Sequence, residues 1–231
     1  MWNGKKKAVT FSYDDGIEQD IRLVNLLNEY GMKATFNLNS GIQTRASVFR
    51  EEKSGILVRR MNQRNLKQLY AGHEIASHGL THADLTQQDE ETVYNEIFAD
   101  KRNLESMFEQ EVVGYAYPFG NCNGLTDQIV KDCGFQYART VECSGNFGFP
   151  GNLFRLKASF HHNTDGILGK IEEFLEKEAE TPMLLLIWGH SYEFDVWNNW
   201  DHIEKIIRRL AGRKEIYYGT NREVLLGGIS L

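Results

Sequence analysis

Apolar and polar positions along this chain fall into short blocks with two alternating rhythms. Lys7–Ser12 is a compact, mostly apolar run and reads as a strand. Ile17–Tyr30 then repeats apolar residues at helical spacing, with Ile21, Val24 and Leu27, joined by Leu23, on one face and a stop at Gly31. The same exchange recurs. Strands are expected at Lys33–Leu38, His73–Ser77, Val112–Tyr117, Gln136–Arg139, Phe154–Phe160, Met183–Trp188 and Glu215–Tyr218. Helices are expected at Asn62–Tyr70, from Thr86-Glu90 to Phe108, and at Leu125–Asp132, Ile167–Ala179 and His202–Leu210. Asn39 to Val58 is a long polar stretch, expected to be a loop that shapes a cleft. Repeated strand-then-helix signals predict an α/β fold, a closed or distorted (β/α) barrel of about seven parallel strands. No repeat or linker interrupts it, so residues 1–231 are read as a single domain.

Chemistry-bearing residues gather at the ends of the predicted strands. Asp14-Asp15-Gly16 follows the first. An Asp-Asp-Gly turn can be no more than a turn. It can also place one carboxylate on a metal and leave the other free as a base. His78 and His82 follow another strand, four residues apart, a spacing that brings two rings to one side of a helical turn. One or two carboxylates with two imidazoles suit a borderline divalent ion such as zinc, and three protein ligands leave a position open. A third segment is Gly114-Tyr115-Ala116-Tyr117-Pro118-Phe119-Gly120. A fourth, Leu184 to His190, is an apolar run that delivers a histidine at its end.

These four segments, in this order, resemble the polysaccharide deacetylases with a NodB-type domain, carbohydrate esterase family 4. The resemblance runs from Lys6 to His190. It implies that Asp14 is the catalytic base and that Asp15, His78 and His82 bind one divalent ion, zinc or in its place cobalt, manganese or nickel. It implies that the Phe119 N–H helps hold an oxyanion and that His190 protonates the leaving group. Tyr117, Pro118, Trp188 and Tyr192 are the candidate substrate-binding residues. Two departures stand out. Ala116 occupies a position where the family usually has an arginine, and the family's Asp-x-x-Asp-Trp motif, which orients the histidine, has no clear equivalent. Arg155 either replaces the missing arginine from a later strand or lies on a strand edge at the surface.

Other features are read more plainly. Tyr192, Glu193, Phe194, Asp195, Trp197 and Trp200 could stack on a sugar or pack over the barrel mouth, and packing is favoured. Glu193 and Asp195 are read as solvated or paired, the lesser alternative being that they reach His190; His161 and His162 are read as a surface pair, the lesser alternative being that one points into the cleft, and His73 and His202 as structural. A net charge of -6, from 32 acidic and 26 basic residues, argues against a nucleic-acid groove. The longest apolar run, Met183 to Trp188, is too short to span a bilayer. Three cysteines at no metal-like spacing and no apolar signal core before the first strand favour the cytoplasm. The resemblance allows export instead, should the chain be a trimmed form. The expected partner is an acetylated carbohydrate. The expected activity is metal-dependent removal of acetyl groups from an N-acetyl amino sugar or O-acetyl xylan. The alternatives are a hydrolase of a non-sugar amide and a non-catalytic carbohydrate-binding protein.

Overall fold

In a computed structural model describing residues 1–44 and 46–227, eleven strands alternate with eight α-helices. The strands are β1 (Lys7–Asp14), β2 (Ala34–Leu38), β3 (Val48–Arg50), β4 (Leu57–Arg59), β5 (Glu74–Ser77), β6 (Gly114–Ala116), β7 (Tyr137–Cys143), β8 (Leu156–Ala158), β9 (Phe160–His161), β10 (Met183–Gly189) and β11 (Ile216–Tyr218). The helices are α1 (Asp20–Glu29), α2 (Gln63–Leu69), α3 (Glu90–Phe108), α4 (Gly124–Asp132), α5 (Ile167–Glu176), α6 (Glu193–Val196), α7 (Trp200–Leu210) and α8 (Asn221–Leu225).

The main sheet runs in the order β8-β7-β6-β5-β2-β1-β10-β9, with β11 added to β1. Every pairing within it is parallel. Both ends of this order belong to one chain segment. β8 pairs with β7 and β9 with β10, and Ser159 between them donates its N–H to Leu186 (2.8 Å) and its hydroxyl to Leu184 (3.0 Å). The sheet therefore curls into a nearly closed, distorted barrel, as the alternating pattern predicts. The expected strand over Phe154–Phe160 is in fact broken, because its start is a single 3-10 turn at Leu153–Arg155 and Ser159 switches partners.

Strand parity decides what faces inward. Val9, Phe11 and Tyr13 of β1 pack outward with Phe36, Ile75, Leu185 and Ile187 against the helices, in the larger apolar core. Ala8 turns inward with Tyr137, Leu184, Leu186 and Trp188. Side chains alternate along a strand. The inward set therefore continues through Thr10, Ser12 and Asp14 on β1, Asn37 on β2 and Arg139 on β7. One step beyond their strands, His78 and His190 fall on the same parity. The polar inward residues collect at the carboxyl ends of the strands, where a parallel barrel presents its working face.

The helix after β1 starts later than expected but buries three of the four residues expected on its apolar face. Leu23, Val24 and Leu27 are buried, but Ile21 is 45% exposed and Asp20 takes the inward position instead. Asp20 is buried because its carboxyl accepts bonds from Tyr70 Oη (2.6 Å), Ser191 Oγ (2.5 Å) and the Ile17 N–H (3.2 Å). It thereby ties α1 to the turn that carries His190. The polar stretch after β2 contains the antiparallel β3–β4 hairpin.

Burial raises the Asp20 carboxyl to about 7, against the opposing bonds from Ser191 and Tyr70. A carboxyl with a raised folded pKa binds more protons folded than unfolded, so stability falls as pH rises from the ordinary carboxylate range to about 7. Asp20→Asn keeps the shape and removes the ionisation. Its unfolding free energy should lose less between pH 5 and pH 8 than the wild type's, by an amount on the order of a few kcal/mol. Parallel denaturant titrations at the two pH values measure this, and identical pH slopes would refute it.

Candidate active site

Asp14 ends β1 inside the barrel mouth and is almost completely buried. Its Oδ1 accepts a bond from Asn37 Nδ2 (2.7 Å) and forms an ion pair with the Arg139 guanidinium. Arg139 is 1% exposed and reaches across the barrel interior from β7. Its Nε donates to Ser12 Oγ (3.1 Å), one Nη to the Thr140 carbonyl (3.0 Å) and the other to Asp14. The Trp188 ring lies 4.7 Å from the guanidinium carbon and supports it. Burial alone would push Asp14 up, but Arg139, then His78 and His190, outweigh it and hold the carboxyl below its ordinary range.

The adjacent carboxylate turns elsewhere. Asp15 adopts φ 84, in the left-handed region, and Gly16 follows at φ 61. A Cβ on Gly16 would lie 2.5 Å from the Gln43 amide, the group that donates to the Asp15 carbonyl (2.8 Å), so the turn needs glycine there. Arg60, just past β4, also anchors Asp15. It donates to the carbonyl (2.6 Å) and sits 3.1 Å from Oδ1.

Asp15, His78 and His82 offer one oxygen and two nitrogens within 4.8 Å of one another. His78 Nδ1 lies 2.8 Å from the Ala116 carbonyl, which can only accept, so Nδ1 carries the proton and Nε2 is left as the ligand atom. Burial depresses His78 to about 4, which keeps it neutral, as a ligand must be. His82 packs edge-on to His78 at 4.8 Å and adopts φ 62. The donor set fits one borderline divalent ion. Left-handed backbone at Asp15, His82 and Phe119 converges on this one cleft, and such conformations are costly for non-glycine residues. At Phe119 (φ 58), the turn is closed by Gly120 and Asn121 N–H bonds to the Tyr117 and Pro118 carbonyls.

The chain has counterparts among known proteins. Residues 2–138 match the polysaccharide deacetylase family model. The chain belongs to the polysaccharide deacetylase family. Over 133 residues it is 24% identical to a peptidoglycan-N-acetylglucosamine deacetylase of Bacillus cereus, a stretch covering 57% of this chain and 55% of that protein. The chain thus spans about half the length of that curated relative. A family 4 carbohydrate esterase from Streptomyces lividans, solved with acetate, superposes with a TM-score of 0.59 at 16% identity, over 94% of this chain and 93% of that one. A pseudoenzyme of the same esterase family from Bacillus anthracis superposes with a TM-score of 0.58 at 17% identity, over 95% and 66%. At these identities the superpositions speak for the fold.

The structure departs from the sequence expectations at several residues. Arg155 is not beside Asp14. It lies exposed on the 3-10 turn before β8, with Nε 2.7 Å from Asp127. Arg139 fills the place vacated by Ala116, because its inward parity on β7 points it at β1. Trp188 is buried on Arg139 and stands outside the cleft lining, as does Pro118, whereas Tyr117, Phe119 and Tyr192 line it. The Tyr117 hydroxyl itself is turned away, onto Asp127 (2.9 Å).

His161 and His162 are no surface pair. His162 is fully buried, and both rings meet Glu193, at 3.1 and 3.0 Å. A Cβ on the neighbouring Gly189 would lie 2.2 Å from the His162 ring, so glycine makes room for it. Glu193 also takes the His190 N–H (3.1 Å) and lies 3.7 Å from His190 Nδ1. His190 Nε2 points the other way, 3.9 Å from Asp14 Oδ2. Burial opposes charge on His190, but Glu193, Asp15 and Asp14 outweigh it and raise the ring to about 9. Glu193 is therefore the carboxylate partner of the histidine, supplied from the helical turn after β10. His73 and His202 are structural, bonded to the Ala34 N–H (3.1 Å) and the His162 carbonyl (2.9 Å).

Proposed function

We propose that this chain is a hydrolase that removes acetyl groups from an acetylated carbohydrate, an N-acetyl amino sugar or an O-acetylated xylan, with zinc held by Asp15, His78 and His82. The observation that carries this reading is the convergence of a three-ligand set, a separately held Asp14 and a carboxylate-backed His190 on one cleft of about 620 Å³. When bound, the ion would act as a Lewis acid toward water and the acetyl carbonyl. Asp14, kept ionised by Arg139, takes the proton from the attacking water. The Phe119 N–H faces charge developing on the carbonyl oxygen. His190, kept protonated by Glu193, delivers a proton to the departing nitrogen or oxygen.

Ala116, where the family usually has an arginine, would speak for a non-catalytic binder, but Arg139 beside Asp14 supports the catalytic reading. The functional reading is tested by acetate release from a panel of N-acetylated and O-acetylated saccharides, with and without a chelator. Release that stops on chelation and returns with zinc is expected. Absence of release across the panel with zinc present would favour the binder, and release only from non-sugar amides would favour the other hydrolase.

A further inference from the structure

The two oxygens of Glu193 serve different partners. Oε2 accepts the His190 N–H (3.1 Å) and lies 3.1 Å from His161 Nε2 and 3.0 Å from His162 Nε2. Oε1 faces His190 Nδ1 at 3.7 Å. That nitrogen is shielded from solvent and has no hydrogen-bond partner among the described residues, so a proton on it is directed at Oε1.

His161 and His162 arrive from the end of β9, where His161 is in register with Trp188 of β10. Consecutive residues on a strand point to opposite sides. Here the strand stops at His161 and the chain turns, the Thr164 N–H closing onto the His161 carbonyl (2.9 Å), and the two rings come within 4.4 Å of each other. His162 is fully buried, whereas the His161 side chain is 24% exposed and stands edge-on to Trp188 at 4.9 Å. His161 is outside the cleft lining, so it reaches the reaction only through its neighbours.

The backbone sets the His161 tautomer. Nδ1 accepts the Asn163 N–H (3.2 Å), so the proton of the neutral ring is on Nε2, toward Glu193. His161, His190 and Glu193 are close enough together to share an ion. Coordination through Nε2 would move the ring proton to Nδ1, against the Asn163 donor. His78, whose Nδ1 meets a carbonyl, has the opposite arrangement. His161 is thus set to donate rather than to bind metal.

Resting on the functional reading above, we infer that His161 is a positioning residue for the acid step. Backed by His162, it holds Oε2 of Glu193 so that Oε1 is presented to His190 Nδ1. The His190 imidazolium then gives its Nε2 proton to the departing nitrogen or oxygen and keeps its Nδ1 proton on Oε1.

The test compares kcat/KM for acetate release from N-acetylglucosamine oligomers and acetylated xylo-oligomers with that from para-nitrophenyl acetate, whose leaving group departs without a proton. In His161→Ala the saccharide-to-aryl ratio should fall about tenfold, a part of the hundredfold or more that a general acid contributes. His161→Gln, which keeps an N–H donor, should recover most of it. In a Glu193→Gln background the same His161→Ala change should move the ratio by less than about twofold, because the carboxylate it holds is gone. An unchanged ratio in His161→Ala, or a fall that persists undiminished in the Glu193→Gln background, would overturn the positioning role and leave the deacetylase reading intact. If no saccharide releases acetate, the functional reading fails, and NMR of the histidine ring protons still decides the positioning role. A His190 Nδ1 proton signal, identified by its loss in His190→Ala, should be present in the wild type and in His161→Gln and lost to exchange with water in His161→Ala. Its absence from the wild type, or its unchanged presence in His161→Ala, overturns the inference.

Discussion

Asp14→Asn should leave the metal triad able to load and yet cut acetate release by roughly a hundredfold or more, the loss expected for a general base. The geometry separates the two roles. Asp15 faces His78 and His82, where it would be the oxygen ligand of the proposed ion, while Asp14 is bound to Arg139 and Asn37 through Oδ1. Both of those partners donate. An asparagine there keeps its carbonyl oxygen toward them and places its amide at the Oδ2 position, where it cannot accept a proton. Folding should therefore survive the change, and the defect should lie in turnover rather than in metal content. Elemental analysis of the zinc-loaded variant beside its kcat settles the point. If the variant no longer binds zinc, Asp14 is a ligand and the division between the two neighbouring carboxylates is wrong.

The sequence made the strand-end motifs of β1, β5, β6 and β10 legible because each lies within a few residues of an apolar run. A parallel barrel sends all such ends to one face. The residues that tune them were harder to see. Arg139 is 125 positions from Asp14, and their meeting depends on how the barrel curls. The expected strand Gln136–Arg139 nevertheless ended on this arginine, and the strand-end reasoning applied to the histidines would have flagged it. Arg155 misled because the run around it looked extended, whereas its first turn is 3-10 and its guanidinium finds Asp127 at the surface. Glu193 was within reach of reasoning. It follows His190 by three residues, and one helical turn after β10 brings the two together. What sequence alone did not reveal is that two further histidines, from the end of β9, converge on the same carboxylate.

Arg139→Ala should be the most damaging single substitution in the barrel interior, lowering both stability and turnover. The guanidinium is buried and its bonds go to three groups, Ser12, Thr140 and Asp14. Removing one partner of a buried pair strands the other charge, at a cost of about 3–5 kcal/mol. Lysine is a poor replacement, since a single ammonium lacks the planar fork that serves these partners together. The kinetic consequence has a definite sign. In the wild type, Asp14 is held below the ordinary carboxylate range, so the base is ionised throughout the neutral region. The pair contributes stability above the unfolded carboxylate pKa, and that contribution is lost as pH falls through the lower folded value. Without Arg139, burial is opposed only by Asn37 and the histidines, and the Asp14 pKa rises. Turnover of Arg139→Ala should then climb with pH across a range where the wild-type acidic limb is flat. Arg155→Ala supplies the contrast, because that arginine pairs with Asp127 at the surface and should leave the acidic limb in place. A pH–rate profile of the three proteins, with chemical denaturation alongside, measures both effects. A wild-type acidic limb in Arg139→Ala would show that Arg139 supports the barrel without tuning the base.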